Sequence, residues 1–194
     1  MKIKNIFSDV HFIEFENHND DRGYFRENFN YKTLLKNQLD FTSVQDNFSF
    51  SKKKGTIRGL HFQTSPYQQA KIIYVLSGCI FDVFVDIRKD SSTFGQYGSV
   101  ELNSENGYVF IPNGFAHGFC TLEDNTQVFY KVDNYYNSEN DSGILWNDVD
   151  LGIEWPLDKG DYVLSEKDST LQNFLQFKEG INLKSWLIKN ILIS

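Results

Sequence analysis

The 194-residue sequence has little positive charge, few cysteines and no long hydrophobic run. Its formal net charge is -7 and its main basic cluster is "SKKKG", so we expect no nucleic-acid partner, which would require clustered positive charge. No segment approaches the roughly eighteen apolar residues of a membrane span, and the N-terminal "MKIKNIFSDVHFIEF" lacks the apolar stretch of a secretion signal. The two cysteines, Cys79 and Cys120, stand inside apolar runs. These absences predict a reduced, soluble, cytoplasmic protein with no membrane partner.

Aromatic residues are abundant, and they favour strands. Phe, Tyr and Trp make up 16% of the chain, which predicts an all-β core. The segment "KIIYVLSGCIFDVFVDIR" (71–88) holds two apolar runs broken at Ser77 and Gly78, a pattern typical of a hairpin. "GYVFIP" and "TQVFYKVDNYY" predict further strands, and short strands at this spacing indicate a sandwich or a barrel.

Helical patterns are few and short. "YKTLLKNQLD" (31–40) and "SEKDSTLQNFLQF" (165–177) each predict a helix, the second with a serine in the N-cap position. The tail "NLKSWLIKNILIS" (182–194) clusters apolar residues as an amphipathic helix does, and we expect it to pack on the barrel or on a partner chain. Only Lys184 and Lys189 supply positive charge there, so a membrane-surface role is not expected.

Several polar residues stand in strands that should be dry. The segment "GTIRGLHFQ" (55–63) contains an arginine, a histidine and a glutamine, which are costly to bury unpaired. Taken singly, His61, Lys71 and Asp82 fit as a core histidine, a strand-edge charge and a hairpin residue. Together, on successive strands of a small barrel, they would converge on the interior, where barrels hold small ligands.

Strict alternation would place Arg58 and His61 on opposite faces of their strand. Both serve one pocket only if the strand is irregular between them. Gly59 lies between the two residues, and a glycine inside a strand often marks a bulge. The sequence therefore predicts an irregularity at or next to Gly59.

The segment "GYVFIPNGFAHGFCT" (107–121) resembles the second motif of the cupin superfamily, whose fold is a jelly-roll barrel. Metal-binding cupins carry a His-x-His pair in the first motif. Here that pair is His61-Phe62-Gln63, which replaces one ligand by a neutral amide, a poor ligand for zinc or iron. His117 adds a second imidazole without a carboxylate. We expect no metal.

A narrower resemblance is carried by motifs in order along the chain: "DDRGYFRENF", "SVQDNFSFSKKKGTIRG", "RGLHFQ", "QQAKIIYVLSG", "FDVFVDIRKDSSTFGQY", "IPNGFAHGF", "VFYKVDNYY", "GILWND" and "LSEKD". They are similar to the dTDP-4-dehydrorhamnose 3,5-epimerase family. The resemblance covers roughly residues 1 to 178, and we expect one jelly-roll domain over 1–178 followed by an extension over 179–194. It implies a dimer without metal or organic cofactor.

The resemblance also implies roles for four catalytic residues. A C4 ketone acidifies the hydrogens on C3 and C5 of a nucleotide-linked 4-keto-6-deoxy sugar, because the carbanion left behind is an enolate. Epimerisation then needs a base on one face and an acid on the other. His61 corresponds to the base, with Asp168 as its carboxylate partner. Tyr130 corresponds to the acid, and Lys71 lies near the keto oxygen, where its charge would stabilise the enolate.

Other residues are expected to bind the substrate or to support this group. Arg58 suits the diphosphate or keto region because a guanidinium donates two hydrogen bonds at once, and Gln63 would support the same network. Asp82 and His117 would lie beside the catalytic group. By resemblance, an N-terminal segment helps to bind the nucleotide, partly across the dimer interface, and two further positions contact the sugar. These residues are Arg22, Phe25 and Glu27 in the first set and Gln45 and Asn47 in the second.

Three alternatives stay open on the sequence alone. The same enolate chemistry serves a C3-only epimerase or an enzyme for another nucleotide sugar, such as a GDP-linked 4-keto-heptose. A non-catalytic sugar-nucleotide-binding cupin would not need His61, Lys71, Tyr130 and Asp168 together. A metal-dependent cupin oxygenase or isomerase would carry stoichiometric metal.

Overall fold

The computed structural model describes residues 2–158 and 160–181. Strands dominate this part of the chain, as the aromatic-rich composition predicts. The strands are β1 (Lys2–Phe7), β2 (Val10–Glu14), β3 (His18–Asp20), β4 (Gly23–Phe25), β5 (Gln45–Ser51), β6 (Ile57–Gln63), β7 (Lys71–Ser77), β8 (Cys79–Asp86), β9 (Tyr97–Asn103), β10 (Gly107–Ile111), β11 (Phe115–Thr121), β12 (Thr126–Val132) and β13 (Asp141–Gly143). The helices are α1 (Tyr31–Lys36) and α2 (Glu166–Ser169), and residues 174–181 are also helical.

The strands form two large antiparallel sheets and one small hairpin. Six strands follow one another in the order β1-β2-β10-β7-β12-β5, and five in the order β13-β6-β11-β8-β9. Within residues 2–158 and 160–181, strands β3 and β4 pair only with each other. The prediction of an all-β fold with a few short peripheral helices is confirmed.

Three apolar clusters arrange these sheets in layers. One cluster joins the facing sides of both large sheets, with Ile73 and Val128 from one sheet and Phe84 and Phe119 from the other. A second lies on the outer side of the six-stranded sheet beneath α1, and a third packs the helical segment 174–181 on the outer side of the five-stranded sheet. Beside this inner cluster, polar side chains from both large sheets line cavities of about 280 Å³.

The predicted hairpin at Ser77 and Gly78 is wrong. Strand β7 pairs with β10 and β12, whereas β8 pairs with β9 and β11 in the other sheet. Gly78, with φ of 81°, therefore turns the chain from one sheet to the other. A tight turn between two apolar runs is common to both arrangements, so the local sequence does not distinguish them.

Both predicted helices are present but shorter than the patterns indicate. Helix α1 is capped by Asn30 and ends before Gln38, which has a positive φ of 63°. The second segment is divided: α2 is followed by a break in which Gln172 bridges to Ile144, and the chain becomes helical again at residue 174. Ser165 does cap α2, and its side chain accepts a hydrogen bond from the backbone N–H of Asp168.

The C-terminal end of the described chain bears on two expectations. The expected domain boundary after residue 178 falls within the helical segment 174–181, and the division stays a prediction. The expected amphipathic tail, 182–194, lies outside the described residues. Across residues 2–158 and 160–181, no helix is long and apolar enough to cross a membrane.

Candidate active site

Strand β6 contains the predicted irregularity. His61 pairs with His117 and Arg58 with Phe119 on β11, so two residues of β6 stand opposite one of β11. Gly59 has φ of 130°, and a Cβ atom there would lie 2.5 Å from the Cα of Gly118. Only glycine fits such a close backbone approach. The prediction is confirmed, because Arg58 and His61 both line one cavity of about 280 Å³.

His61 and Asp168 form a short contact on the wall of this cavity. The Nε2 atom of His61 lies 2.6 Å from Oδ1 of Asp168, which is nearly buried. The backbone N–H of Gly59 also approaches Oδ2 of Asp168, at 3.4 Å. Burial raises the pKa of Asp168, but the hydrogen bond and charge of His61, together with hydrogen bonds to Gly59 and Ser165, outweigh burial, and the net pKa is lowered. The carboxylate is thus held ionised beside the imidazole.

Tyr130 and Lys71 face this pair from the opposite sheet. Tyr130 is on β12 and Lys71 begins β7, both in the six-stranded sheet, whereas His61 is on the five-stranded sheet. All three residues line the cavity. Burial lowers the pKa of Lys71 to about 8, although Asp141 and Asp82 act in the opposite direction. Burial also raises the pKa of Tyr130, so its phenol stays protonated at neutral pH.

Three further predicted residues lie at this cavity or directly behind its wall. The Nε2 atom of His117 lies 2.7 Å from Oδ1 of Asp82, and Asp82 is fully buried; its second oxygen has no hydrogen-bond partner among the described residues. Arg58 donates from Nε to the Ser51 hydroxyl and from its terminal nitrogen to the carbonyl of Phe50. The structure therefore places Arg58 and His117 on the cavity that His61, Lys71 and Tyr130 line, with Asp82 against His117; the roles of these residues stay predictions.

A second cavity of about 280 Å³ adjoins the first, and His61, Lys71 and Tyr130 line both. Gln45 and Asn47 lie here and are joined by a hydrogen bond of 2.8 Å. Gln63 lies here too, but its amide is taken up by backbone groups of the 135–137 loop and of Tyr67. Gln63 accordingly supports this wall through the loop.

The three N-terminal residues do not line either cavity of this single chain. Arg22 pairs with Asp20 and is largely exposed, and Phe25 is 72% exposed. Glu27 accepts a hydrogen bond from Asn30. Their expected role in nucleotide binding stays a prediction that concerns a partner subunit.

Sequence reasoning missed three residues at the junction of the two cavities. Lys167 donates to Oδ2 of Asp141 over 2.5 Å, and the hydroxyl of Tyr136 donates to the same oxygen over 3.1 Å. Lys167 is adjacent to Asp168 in "LSEKD", which was a usable signal. Asp141 had none, because its partner Lys167 is 26 positions away along the chain.

No group of three or more His, Cys, Asp and Glu side chains within residues 2–158 and 160–181 is arranged to hold a metal ion. His61 and His117 each contact a carboxylate instead of converging on a common point. Each histidine is thus one half of a hydrogen-bonded histidine–carboxylate pair. The expectation of a reaction without metal or cofactor stays a prediction.

The strands form a jelly-roll barrel, and groups able to take and give protons lie on opposite walls of its cavity. These two features define the class of protein as a cupin-type enzyme of acid–base chemistry. A family model described as dTDP-4-dehydrorhamnose 3,5-epimerase matches residues 4–176. A curated protein of that name from Sinorhizobium fredii is 49% identical over 152 residues, which are 78% of this chain and 77% of the relative. The chain belongs to the dTDP-4-dehydrorhamnose 3,5-epimerase family, and it is an epimerase.

Solved structures agree with this assignment. A dTDP-4-dehydrorhamnose 3,5-epimerase from Bacillus anthracis, with TDP and PPi bound, has a TM-score of 0.84 and 46% identity, over 89% of this chain and 100% of that chain. A dTDP-6-deoxy-D-glucose-3,5-epimerase from Legionella pneumophila, in complex with dTDP-4-keto-L-rhamnose, has a TM-score of 0.82 and 41% identity, over 89% and 92% of the two chains. The expected cupin-type jelly roll is confirmed.

Proposed function

We propose that this chain epimerises C3 and C5 of dTDP-4-dehydro-6-deoxyglucose to give dTDP-4-dehydrorhamnose. The observation that carries the proposal is the placement of His61 and Tyr130 on opposite sheets of one cavity. Inversion at a carbon requires that a proton leave from one face and return to the other, and two walls supply those two faces. The names of the relatives do not favour the C3-only, GDP-linked or non-catalytic alternatives.

The hydrogen bonds of His61 support its assignment as the base. When Nε2 donates to the carboxylate of Asp168, the neutral imidazole carries its lone pair on Nδ1. Nδ1 then takes the proton from C3 or C5, and the anionic Asp168 stabilises the imidazolium that results. Tyr130 delivers a proton to the same carbon from the opposite wall, and its phenol is protonated at neutral pH for that purpose.

Lys71 and Arg58 bind the charged parts of the substrate. As an ammonium ion in a largely desolvated position, Lys71 stabilises the negative charge that develops on the C4 oxygen. Arg58 lies at the cavity wall with one side of its guanidinium tied to Ser51 and Phe50, which leaves other donors for the diphosphate. Gln45 and Asn47 contact the sugar from the adjoining cavity.

We further propose a homodimer in which the segment from Arg22 to Glu27 completes the partner's site. Phe25 is 72% exposed on the β3–β4 hairpin, and Phe48 and Phe50 are 59% and 47% exposed on the edge strand β5. Exposed apolar residues on an edge strand are typical of an interaction surface. The other face of β5 carries Asn47 toward the cavity, so a partner on this strand would be near the site. The cytoplasmic location expected from the sequence stays a prediction.

The test is incubation with dTDP-linked and GDP-linked 4-keto-6-deoxy sugars in deuterated water, followed by NMR of C3 and C5. We expect deuterium and inversion at both carbons of the dTDP sugar. Deuterium at C3 alone would indicate a monoepimerase, and preference for the GDP sugar would contradict the proposed substrate.

A further inference from the structure

Asp141 is fixed between the two cavities by two donors that bind the same oxygen. Its Oδ2 atom accepts hydrogen bonds from Lys167 Nζ at 2.5 Å and from the Tyr136 hydroxyl at 3.1 Å. Its side chain is only 14% exposed. Among the described residues its Oδ1 atom has no hydrogen-bond partner, and the residue lines the cavity that also contains Lys71. One carboxylate oxygen is therefore held in place, while the other has no hydrogen-bond partner among the described residues.

Lys71 is the cavity residue whose ammonium form a nearby negative charge would stabilise. Its ammonium group makes no hydrogen bond or ion pair of 4.0 Å or less with the described residues, and it lies in surroundings that disfavour a charge. The negative charges of two carboxylates raise the pKa of Lys71: Asp141 on β13 and Asp82 on β8. The other titratable groups that line its two cavities are Arg58, His61, His117, Tyr130, Tyr136, Lys167 and Asp168.

The two carboxylates differ in the other groups that they bind, and therefore in how strongly their charge acts on Lys71. Asp82 is fully buried and gives Oδ1 to His117. Asp141 gives Oδ2 to Lys167, a residue whose side chain is 54% exposed, so solvent weakens the competition of that cation for the carboxylate charge. Of the two effects that raise the pKa of Lys71, that of Asp141 is the larger.

We propose that Asp141 is a positioning residue for Lys71: held by Lys167 and Tyr136, its carboxylate supplies the negative charge that keeps Lys71 an ammonium ion before the substrate binds. The consequence is chemical. A neutral amine offers the enolate oxygen no full positive charge, so loss of Asp141 weakens the stabilisation of the enolate without removing any group that touches it. The functional part of this inference rests on the proposed role of Lys71.

The experiment measures the protonation of Lys71 directly. Protein labelled with ¹³C at the lysine Cε atoms is titrated by NMR, and the Lys71 signal is assigned by its disappearance in Lys71→Arg. In Asp141→Asn we expect the titration midpoint of Lys71 to fall by roughly one pH unit, because one nearby opposite charge is lost. Asp141→Glu should restore the midpoint to the wild-type range. An unchanged midpoint in Asp141→Asn would overturn the proposal.

Lys167→Gln is the matched control, because it breaks the same ion pair while keeping the Asp141 charge. The titration midpoint of Lys71 should not fall in Lys167→Gln. A fall equal to that in Asp141→Asn would show that the ion pair, and not the charge of Asp141, determines the pKa of Lys71, and would contradict the proposal. If the single Asp141→Asn variant does not fold, the Asp141→Asn/Lys167→Gln double variant is compared with Lys167→Gln. The titration needs no substrate, so its outcome is separate from that of the proposed function.

Activity gives the second readout. The alkaline limb of kcat/KM should shift toward neutral pH in Asp141→Asn, and this shift should be smaller in a Lys71→Arg background, where the charge is permanent. The remaining shift would report Tyr130, whose pKa Asp141 also raises. An equal shift in both backgrounds would exclude Lys71 as the group through which Asp141 acts on the reaction.

Discussion

Two histidine–carboxylate pairs lie on neighbouring strands, and their burial separates their roles. The side chain of His61 is 31% exposed toward the cavity, whereas that of His117 is 9% exposed. His61 is therefore the imidazole that a substrate reaches more readily. His117, paired with the fully buried Asp82, supports the wall behind it.

A third buried carboxylate, Asp86, has a structural role that predicts a pH dependence of stability. Burial raises its pKa, but hydrogen bonds from Arg88, Ser91 and Thr93 outweigh burial and lower the pKa to about 2. Since the folded-state pKa is depressed, the stabilisation is present above the unfolded value near 3.8 and is lost as pH falls toward 2.

We expect Asp86→Asn to lower the free energy of unfolding by about 2 kcal/mol at pH 7, because the buried carboxylate that accepts charged hydrogen bonds from the half-buried Arg88 is lost, while Arg88 keeps its ion pair with Asp9. Urea denaturation of both proteins at a series of pH values checks this. The difference from wild type should shrink between about pH 4 and pH 2. Asp90→Asn, at an exposed residue nearby, is the control and should show no loss; a difference for Asp86→Asn that is independent of pH would contradict the account.

At the scale of elements, the bulge in β6 determines which side chains meet. It reverses the alternation between Arg58 and His61, and it depends on Gly59, whose Cβ position is occupied by the backbone of β11. Gly160 has a similar φ of 114° but nothing within 4 Å of its Cβ position. Substitution of Gly59 would therefore cause both steric clash and backbone strain, whereas substitution of Gly160 would cause backbone strain alone.

We predict that Gly160→Ala costs about 1–2 kcal/mol of unfolding free energy, from backbone strain alone. Gly59→Ala should cost clearly more and should also lower kcat/KM, because Arg58 and His61 would no longer share one wall. Thermal or chemical denaturation and steady-state kinetics measure both effects. Equal losses of unfolding free energy in the two variants would show that the close approach of β6 and β11 adds no steric cost at Gly59, and would contradict this prediction.

Much of the element pattern was predictable, and the failures have physical reasons. Strands such as β10 and β12, the cap at Ser165 and the bulge at Gly59 follow from local rules of alternation and capping. The hairpin at Ser77 failed because strand partners are chosen by tertiary packing. The 165–177 helix is divided because Gln172 bonds to Ser142 and Gly143, far away in sequence. Asp141 escaped notice for the same reason.

At the scale of the whole molecule, the proposed nucleotide-binding residues of the N-terminal segment lie outside both cavities of the single chain. Arg22 and Phe25 are exposed on a hairpin that pairs with neither large sheet. A second copy is the partner that the proposed function requires.

We expect a homodimer by light scattering. Arg22→Ala should raise the Kd for dTDP about tenfold, because hydrogen bonds to a charged group are lost, with little change in kcat. Lys36→Ala, at an exposed residue of α1, is the control and should bind dTDP as wild type does. A fully active monomer at assay concentrations would refute the exchange of the N-terminal segment.

The central claim is that His61 removes the proton and Tyr130 returns one from the other wall. The most direct measurement is deuterium wash-in at C3 and C5, followed alongside product formation, for His61→Asn, Tyr130→Phe and Asp168→Asn. His61→Asn should lose both exchange and inversion by about 10²- to 10⁴-fold, Tyr130→Phe should keep exchange while losing inversion, and Asp168→Asn should fall between wild type and His61→Asn. Full exchange and epimerisation by His61→Asn would contradict the mechanism, and equal loss of exchange in His61→Asn and Tyr130→Phe would contradict the division of roles between the two walls.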